Sequence, residues 1–422
     1  MTTARPPARR SLVVVMDSVG IGAAPDAAAF GAADVAANTV LHTVAHAANT
    51  GRRLALDELV RWGLAAAVKA ATGQDLPGWP ATPPEGWAAA LAEVSAAKDT
   101  LTGHWEMMGV STPRPWHVFA DTDPSIPPDW IEGWARACGV PGVLGNVRAD
   151  GLAVLERWGA ASRDSGRPIV YTSADSVIQI AVHAPTFGLP RLAAIAAEAR
   201  ARANGWPVAR IITRPFMEDG HGGWMRTVDR HDWVIDPPAP LLSEILAAAG
   251  IPVYGLGKIP DILGHRGLAR EVPVADLEDN LAKTLEVWRA SPAPAVVMTN
   301  LAEFDTLHGH RRDPEGYGAA LETVSRWLTA VRVAMQPHDL VIVTADHGND
   351  PTAPGHDHTR EWVPWLMQSL DAHAERAVGL PRAHAVTRRG FDLTAQTMAA
   401  WHGIDLPPRS SSSPATDLES DA

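Results

Sequence analysis

Short, unbroken apolar runs recur along the chain, and several end at polar residues with chemical capability. Leu12 to Met16 stops at Asp17, Ala295 to Thr299 leads into Asn300 and then Asp305, and Leu340 to Thr344 is followed by Asp346 and His347. Apolar runs of this length without alternation fit strands of a parallel sheet buried on both faces. Between the last two runs, Tyr317 to Ala334 carries a helical period, and helices are also predicted over Leu192 to Arg202, Ala239 to Ala249 and Leu277 to Arg289. A further strand, Pro252 to Leu256, runs into Gly257 and Lys258. This pattern predicts an α/β fold with a central, mostly parallel sheet flanked by helices. Ligands of such sheets sit outside the carboxyl ends of the strands, so three acids remote in sequence are expected to converge there.

The middle of the chain has a different texture. From about Pro113 to Pro240, Pro-bounded segments enclose strand-like runs at Pro168 to Thr172 and Ala209 to Thr213. The expected organisation is a core formed by residues 1–114 and 239–407, a smaller inserted α+β cap over 115–238, and a disordered Ser-rich tail over 408–422.

Composition narrows the chemistry. No stretch of the 422 residues approaches the uncharged apolar length of a membrane span, and the run after the basic start is too short for a signal peptide. The single cysteine, Cys138, excludes an internal disulfide and thiolate metal clusters and fits a cytoplasmic protein. Any metal must therefore use oxygen and nitrogen ligands. A formal charge of −12 argues against nucleic-acid binding, and no obligate protein partner is inferred. Only four residues are Lys (Lys69, Lys98, Lys258 and Lys283) against 32 Arg, so a Lys inside a polar motif draws notice.

Four clusters carry candidate chemistry. Thr344-Ala345-Asp346-His347-Gly348-Asn349-Asp350 is followed by Gly355-His356-Asp357-His358, and Asp and His together suit divalent first-row metals. Of the two downstream histidines, His356 is the weaker candidate. Asn300 to Arg312 repeats the theme with Asp305, His308 and His310, and Asp17-Ser18-Val19-Gly20-Ile21-Gly22 supplies a third strand-end acid. Those glycines lack the spacing of a dinucleotide fingerprint. Lys98-Asp99-Thr100-Leu101-Thr102-Gly103-His104-Trp105-Glu106 offers hydroxyls that a bound divalent ion could activate as nucleophiles, although Asp or Thr there could equally cap a helix.

Taken in order, these strings, together with Tyr171-Thr172-Ser173-Ala174-Asp175-Ser176, Arg214-Pro215-Phe216, Arg230-His231-Asp232 and Gly257-Lys258-Ile259, resemble the prokaryotic, manganese-dependent phosphopentomutases of the alkaline phosphatase superfamily. The resemblance runs from about Ser11 to Leu406. It implies an alkaline-phosphatase-like core and two Mn2+ ions, one held by Asp17, Asp346, His347 and the Thr100 oxygen, the other by Asp305, His310 and His358. Thr100 matches the family's phosphorylated threonine. Ser173, Asp175, Arg214, Arg230 and Lys258 match its contacts to the phosphosugar substrate. The implied reaction interconverts ribose 1-phosphate and ribose 5-phosphate, and the 2-deoxy sugars, through phosphothreonine and a 1,5-bisphosphate, with a sugar bisphosphate as activator. An inserted cap closing over the site would keep water from the phosphothreonine. A metal-dependent phosphohydrolase of the same superfamily would share the metal ligands and the nucleophile. His308 departs from the family pattern as a possible extra ligand.

Overall fold

The computed structural model describes residues 8–173 and 176–407, so the tail over 408–422 and Asp175 lie outside the described residues. Two compact units emerge: one comprises the chain up to Arg114 and from Pro237 onward, the other Pro115–Asp236. In chain order the strands are β1 (Arg10–Val15), β2 (Trp87–Ala92), β3 (Leu144–Arg148), β4 (Ile169–Thr172), β5 (Val177–His183), β6 (Arg210–Glu218), β7 (Trp224–Arg226), β8 (His231–Val234), β9 (Val253–Leu256), β10 (Arg270–Val272), β11 (Ala295–Asn300), β12 (Asp339–Thr344), β13 (Val363–Ser369) and β14 (Val386–Arg389).

The first unit is built on an eight-stranded sheet of order β10-β9-β11-β1-β12-β13-β2-β14. Pairing is parallel from β10 through β12, antiparallel on both sides of β13, and parallel again between β2 and β14. The mostly parallel α/β sheet is therefore as expected. Every residue of β11 and β12 is buried, and β1 is buried beyond Arg10, as strands covered on both faces must be. The helix Pro314–Ala334 starts where the pattern requires, with Asp313 accepting the Gly316 N–H and proline at the first turn. It packs against the helix Thr39–Asn49. The predicted helices over 239–249 and 277–289 form as Leu242–Ala248 and Leu277–Ala290.

Four strands of this sheet, β2, β10, β13 and β14, were not legible in the pattern. β2 reads Trp-Ala-Ala-Ala-Leu-Ala, and alanine carries no strand preference. Its strand form is imposed by pairing with β13 and β14, between which all six residues are buried. β13 was likewise outside the expected set.

In the second unit the sheet order is β3-β4-β5-β6-β7, with β8 added to β6. Its two faces are apolar on alternate residues. Val170, Ile178, Ile180, Val182 and Ile211 belong to one core cluster, with Ile131 and Trp134 of the helix Pro128–Ala137 and Leu192, Ile195 and Ala199 of the helix Leu189–Arg202. Ile169, Tyr171, Ala181 and Phe216 belong to another, with Val154 and Leu155 of the helix Gly151–Ser165. No helix among the described residues is long and apolar enough to cross a membrane.

Candidate active site

Register brings the acids together. Val15 of β1 lies level with Asn300 of β11 on one side and Thr344 of β12 on the other. Asp17 and Asp346 each follow two residues beyond that line. Asp305 arrives from a short π-helical turn, Phe304–Gly309, just past β11. The Gly309 Cα packs so closely on Asn349 that a Cβ would come within 2.8 Å of the Asn349 side chain. That approach lets the Asn349 amide donate to Asp305 Oδ1 at 2.8 Å.

Asp17, Asp346 and His347 are wholly or nearly wholly buried, and their ligand atoms lie within 4.8 Å of one another. His347 Nε2 is 3.6 Å from Asp17 Oδ1 and 3.4 Å from Asp346 Oδ2. A second group of the same span joins Asp305, His347 and His358, so His347 stands between the two expected ligand sets. His310 Nε2 lies 3.2 Å from Asp305 Oδ2 and 3.2 Å from His358 Nε2. Each imidazole is oriented through its other nitrogen: Nδ1 of His310, His347 and His358 donates to the carbonyls of His356, Gly348 and Lys98, respectively. All three Nε2 lone pairs therefore face the carboxylates, the arrangement that ligating histidines adopt.

The electrostatics mark the same place as one for a cation. Burial pushes the Asp17 carboxyl up to about 7, with the Asp346 charge adding to the effect. Burial also opposes ionisation of Asp346, but the imidazoles of His347 and His104 and the Ser18 N–H hold it down at about 2. Burial drives His347 down to about 4, which leaves it neutral at pH 7. Asp17 Oδ1 and Asp346 Oδ2 are buried without a hydrogen-bond partner. A buried carboxylate oxygen without a donor is costly. The N/O donor set and the two orphaned oxygens fit a divalent metal.

Thr100 opens the helix Thr100–Met107, and its Oγ1 is 3.1 Å from His347 Nε2. The two threonines of this helix are held differently. Thr102 is fully buried, and its hydroxyl donates to the Asp99 carbonyl while the Asp99 carboxylate caps the N–H groups of Leu101 and Thr102. Thr100 is half-buried and faces the acidic cluster. Gly103 makes that placement possible, since a Cβ there would lie 2.1 Å from the Asp346 carbonyl oxygen.

Sequence reasoning assigned no role to Asn300 or His104. The Asn300 amide donates to Asp17 Oδ2 at 2.9 Å and reaches His104 Nε2 at 3.3 Å, while His104 Nδ1 donates to the Thr100 carbonyl at 2.7 Å. One signal was available: His104 stands four residues after Thr100, one turn along the same helix face. Lys258, expected among phosphosugar contacts, places its Nζ 3.7 Å from Asp17 Oδ2, because β9 ends on the same edge of the sheet as β11 and β1. His308 turns away to Asp313, and His356 Nδ1 donates to the His310 carbonyl, so neither joins the ligand groups. Ser173, Arg214 and Arg230 belong to the second unit, where Arg214 donates to Gln179 and Arg230 pairs with Asp232 through two hydrogen bonds. Asp175 lies outside the described residues.

Residues 261–406 match the model of the Metalloenzyme superfamily, the class that the sheet and its buried Asp/His cluster define. The phosphopentomutase of Chromohalobacter salexigens is 45% identical over 94% of this chain and 93% of its own length. That of Pseudoalteromonas translucida is 39% identical over 94% and 95%, respectively. Among solved structures, a phosphoglycerate mutase of Leishmania mexicana is similar over 99% of both chains, at 14% identity and a TM-score of 0.44. The chain belongs to the phosphopentomutase family. It is a mutase acting on a small phosphosugar, and its enzyme class is that of the isomerases that transfer a phosphoryl group within a molecule.

Proposed function

We propose that the protein interconverts ribose 1-phosphate and ribose 5-phosphate, and the corresponding 2-deoxyribose phosphates, in the cytoplasm, with Thr100 carrying the phosphoryl group between donor and acceptor. The observation that carries this reading is the Thr100 hydroxyl, 3.1 Å from His347 Nε2 at the edge of a cluster with two unpartnered carboxylate oxygens. Asp17, Asp346 and His347 with the Thr100 oxygen would hold one Mn2+ ion, and Asp305, His310 and His358 the other. Two such ions would outweigh the charge of three carboxylates, lower the pKa of the threonine hydroxyl and stabilise the charge that develops on the transferring phosphoryl group.

The chain's own residues supply the rest. Thr100 gives its phosphoryl group to the free hydroxyl of the bound pentose phosphate, producing the 1,5-bisphosphate. After the bisphosphate turns round, Thr100 takes back the other group. The hydrogen bond from His104 Nδ1 to the Thr100 carbonyl and the capping of the helix by Asp99 hold the nucleophile in place. Ser173, Asp175, Arg214, Arg230 and Lys258 bind the sugar and the phosphate that is not reacting, with Arg suited to this by its two-pronged donor geometry. Exclusion of water from the phosphothreonine is what distinguishes the mutase from a phosphohydrolase.

The test is to incubate the protein with Mn2+, a catalytic amount of a sugar bisphosphate activator and ribose 5-phosphate. Ribose 1-phosphate should accumulate with little inorganic phosphate, and mass spectrometry should place the phosphoryl group on Thr100. Release of phosphate without ribose 1-phosphate would favour the phosphohydrolase reading.

A further inference from the structure

The two groups of acids and histidines are held by different means. Asp17 and Asp346 stand just past strand ends, and each has one carboxylate oxygen fixed by a neighbour: the Asn300 amide donates to Asp17 Oδ2 and the Ser18 N–H to Asp346 Oδ1, both at 2.9 Å. The Asp305 group rests on irregular chain. Asp305 belongs to the short turn Phe304–Gly309, His310 follows that turn directly, and the stretch from Asn349 to His358 contains neither helix nor strand. Ordering such a stretch costs conformational entropy at every residue. Specific bonds must therefore hold it.

Arg312 lies between the two segments. Its backbone has a φ of +56°, in the left-handed region that a residue with a side chain seldom occupies. Conformations of this kind persist where the surrounding contacts over-determine them. Here Nε donates to the Gly355 carbonyl at 2.6 Å and Nη2 to the Asp357 carbonyl at 3.0 Å. Nη1 is shared among the Gly309 carbonyl at 3.0 Å, the Asp350 carbonyl at 2.8 Å and Asn349 Oδ1 at 2.6 Å. Each bond has a charged donor and is stronger than one between neutral groups. A planar fork can serve acceptors on several sides at once, which an ammonium cannot.

The bond to Asn349 has a consequence at Asp305. With its oxygen taken by Arg312, the Asn349 side chain presents its NH2 group to Asp305 Oδ1, at 2.8 Å. Asn349 is fully buried and packed against Gly309, so it has no room to turn over. Asp305 Oδ2 is left 3.2 Å from His310 Nε2. At the other end, the bonds to Gly355 and Asp357 bracket His356, whose carbonyl accepts from His310 Nδ1, and Asp357 directly precedes His358.

We propose that Arg312 is a positioning residue for Asp305, His310 and His358 and not for Asp17 and Asp346: it sets Asp305 through Asn349, and the two histidines through the carbonyls of residues 355–357. That this group holds an ion of its own rests on the two-ion reading given above; the hydrogen-bond relay does not.

The experiment is equilibrium dialysis of the metal-stripped full chain against MnCl2, with bound Mn2+ counted by elemental analysis and the electron paramagnetic resonance spectrum recorded on the same samples. Wild type should take up two ions whose spins couple and broaden the spectrum. Arg312→Met keeps the apolar stem and removes every donor. It should weaken one ion about 10–100-fold, as loss of a group that orients a ligand does, and leave the other within about twofold. The spectrum should then show the resolved hyperfine pattern of an isolated Mn2+ ion. Asn349→Ala cuts the relay to Asp305 and should act in the same direction, and Arg312→Lys, which keeps the charge without the fork, should restore little. Both remain informative if Arg312→Met fails to fold. Arg326→Ala, an exposed change on the helix Pro314–Ala334, should bind as wild type does. In an Asp305→Ala background, Arg312→Met should leave the remaining ion unaffected, because the site it serves is already lost. A merely structural arginine would weaken both ions and would add to the effect of Asp305→Ala.

Unchanged uptake in both Arg312→Met and Asn349→Ala, or equal loss of both ions, would overturn the positioning role while the two-ion reading stood. A wild-type chain with a single ion that needs both Asp305 and Arg312 would uphold the role while the two-ion reading fell. A single ion indifferent to Arg312, or none, would overturn both.

Discussion

Gly103→Ala tests whether the position of Thr100, the proposed nucleophile, depends on backbone contact between its helix and the end of β12. The new Cβ would lie 2.1 Å from the Asp346 carbonyl oxygen and 2.8 Å from its carbonyl carbon. Both atoms are backbone of a buried residue, so no side-chain rotation relieves the overlap. Restoring ordinary contact requires the helix Thr100–Met107 to back away by roughly 1 Å, or β12 to yield by as much. The helix is also tethered beyond Gly103, where Glu106 accepts from the backbone N–H groups of Val94, Ser95 and Phe391. Movement should therefore concentrate at its first turn, where Thr100 sits. A misplacement of about 1 Å at a reacting group can cost around 100-fold in rate, or about 2.7 kcal/mol of barrier. The overpacking itself should cost about 1–3 kcal/mol of stability. Steady-state kinetics at saturating Mn2+, with urea unfolding of the same preparation, separate the two. The expected result is a kcat loss near 100-fold with KM for ribose 5-phosphate changed far less. A variant that folds and turns over within twofold of wild type would refute the argument that this contact places Thr100.

Thr100→Ala should abolish mutase turnover and phosphorylation by the bisphosphate, whereas Thr102→Ala should lose about 1 kcal/mol of stability with its capping hydroxyl but still be phosphorylated; intact-mass measurement distinguishes them. Asp305→Ala should lower bound metal and turnover together, because an ion deprived of its carboxylate keeps too few ligands, and elemental analysis beside the mutase assay checks this. Asp17 must be ionised to hold a cation, but without metal it stays protonated up to about pH 7. Against the effect of burial, Asp305 also raises the His310 imidazole, which must lose its proton to ligate. Metal uptake should therefore release more protons at pH 6 than at pH 8, from Asp17 and His310 together, and apparent affinity should fall as the pH drops below 7; a pH-stat titration reads both, and equal release at the two pH values would contradict the assignment.

Much of the first unit could be read from residue order because its strands are buried on both faces. Leu12 to Met16, Ala295 to Thr299 and Leu340 to Thr344 are uninterrupted apolar runs, and each became a central strand within a residue or two of the expected span. β2 could not be read this way, since Trp-Ala-Ala-Ala-Leu-Ala has the composition of a buried element without the signature of either kind. The choice between Thr100 and Thr102 shows a similar division. The resemblance pointed to Thr100, and packing added the physical difference: the Thr102 hydroxyl is engaged by the cap, whereas the Thr100 hydroxyl lies beside His347.

Residue order alone determined which groups were available: three acids and three histidines beyond strand ends, a threonine at a helix start, and a lysine in a chain that has few. Tertiary structure decided how they meet. The register of β1 with β11 and β12 aligned the strand ends, the missing Cβ at Gly103 let a helix touch a strand-end carbonyl, and the parallel course of β9 set Lys258 beside Asp17 instead of apart from the metal cluster. Side-chain type is local to a position, whereas distance, burial and the lack of a hydrogen-bond partner depend on segments far apart in the chain, and those are settled only when the sheet forms.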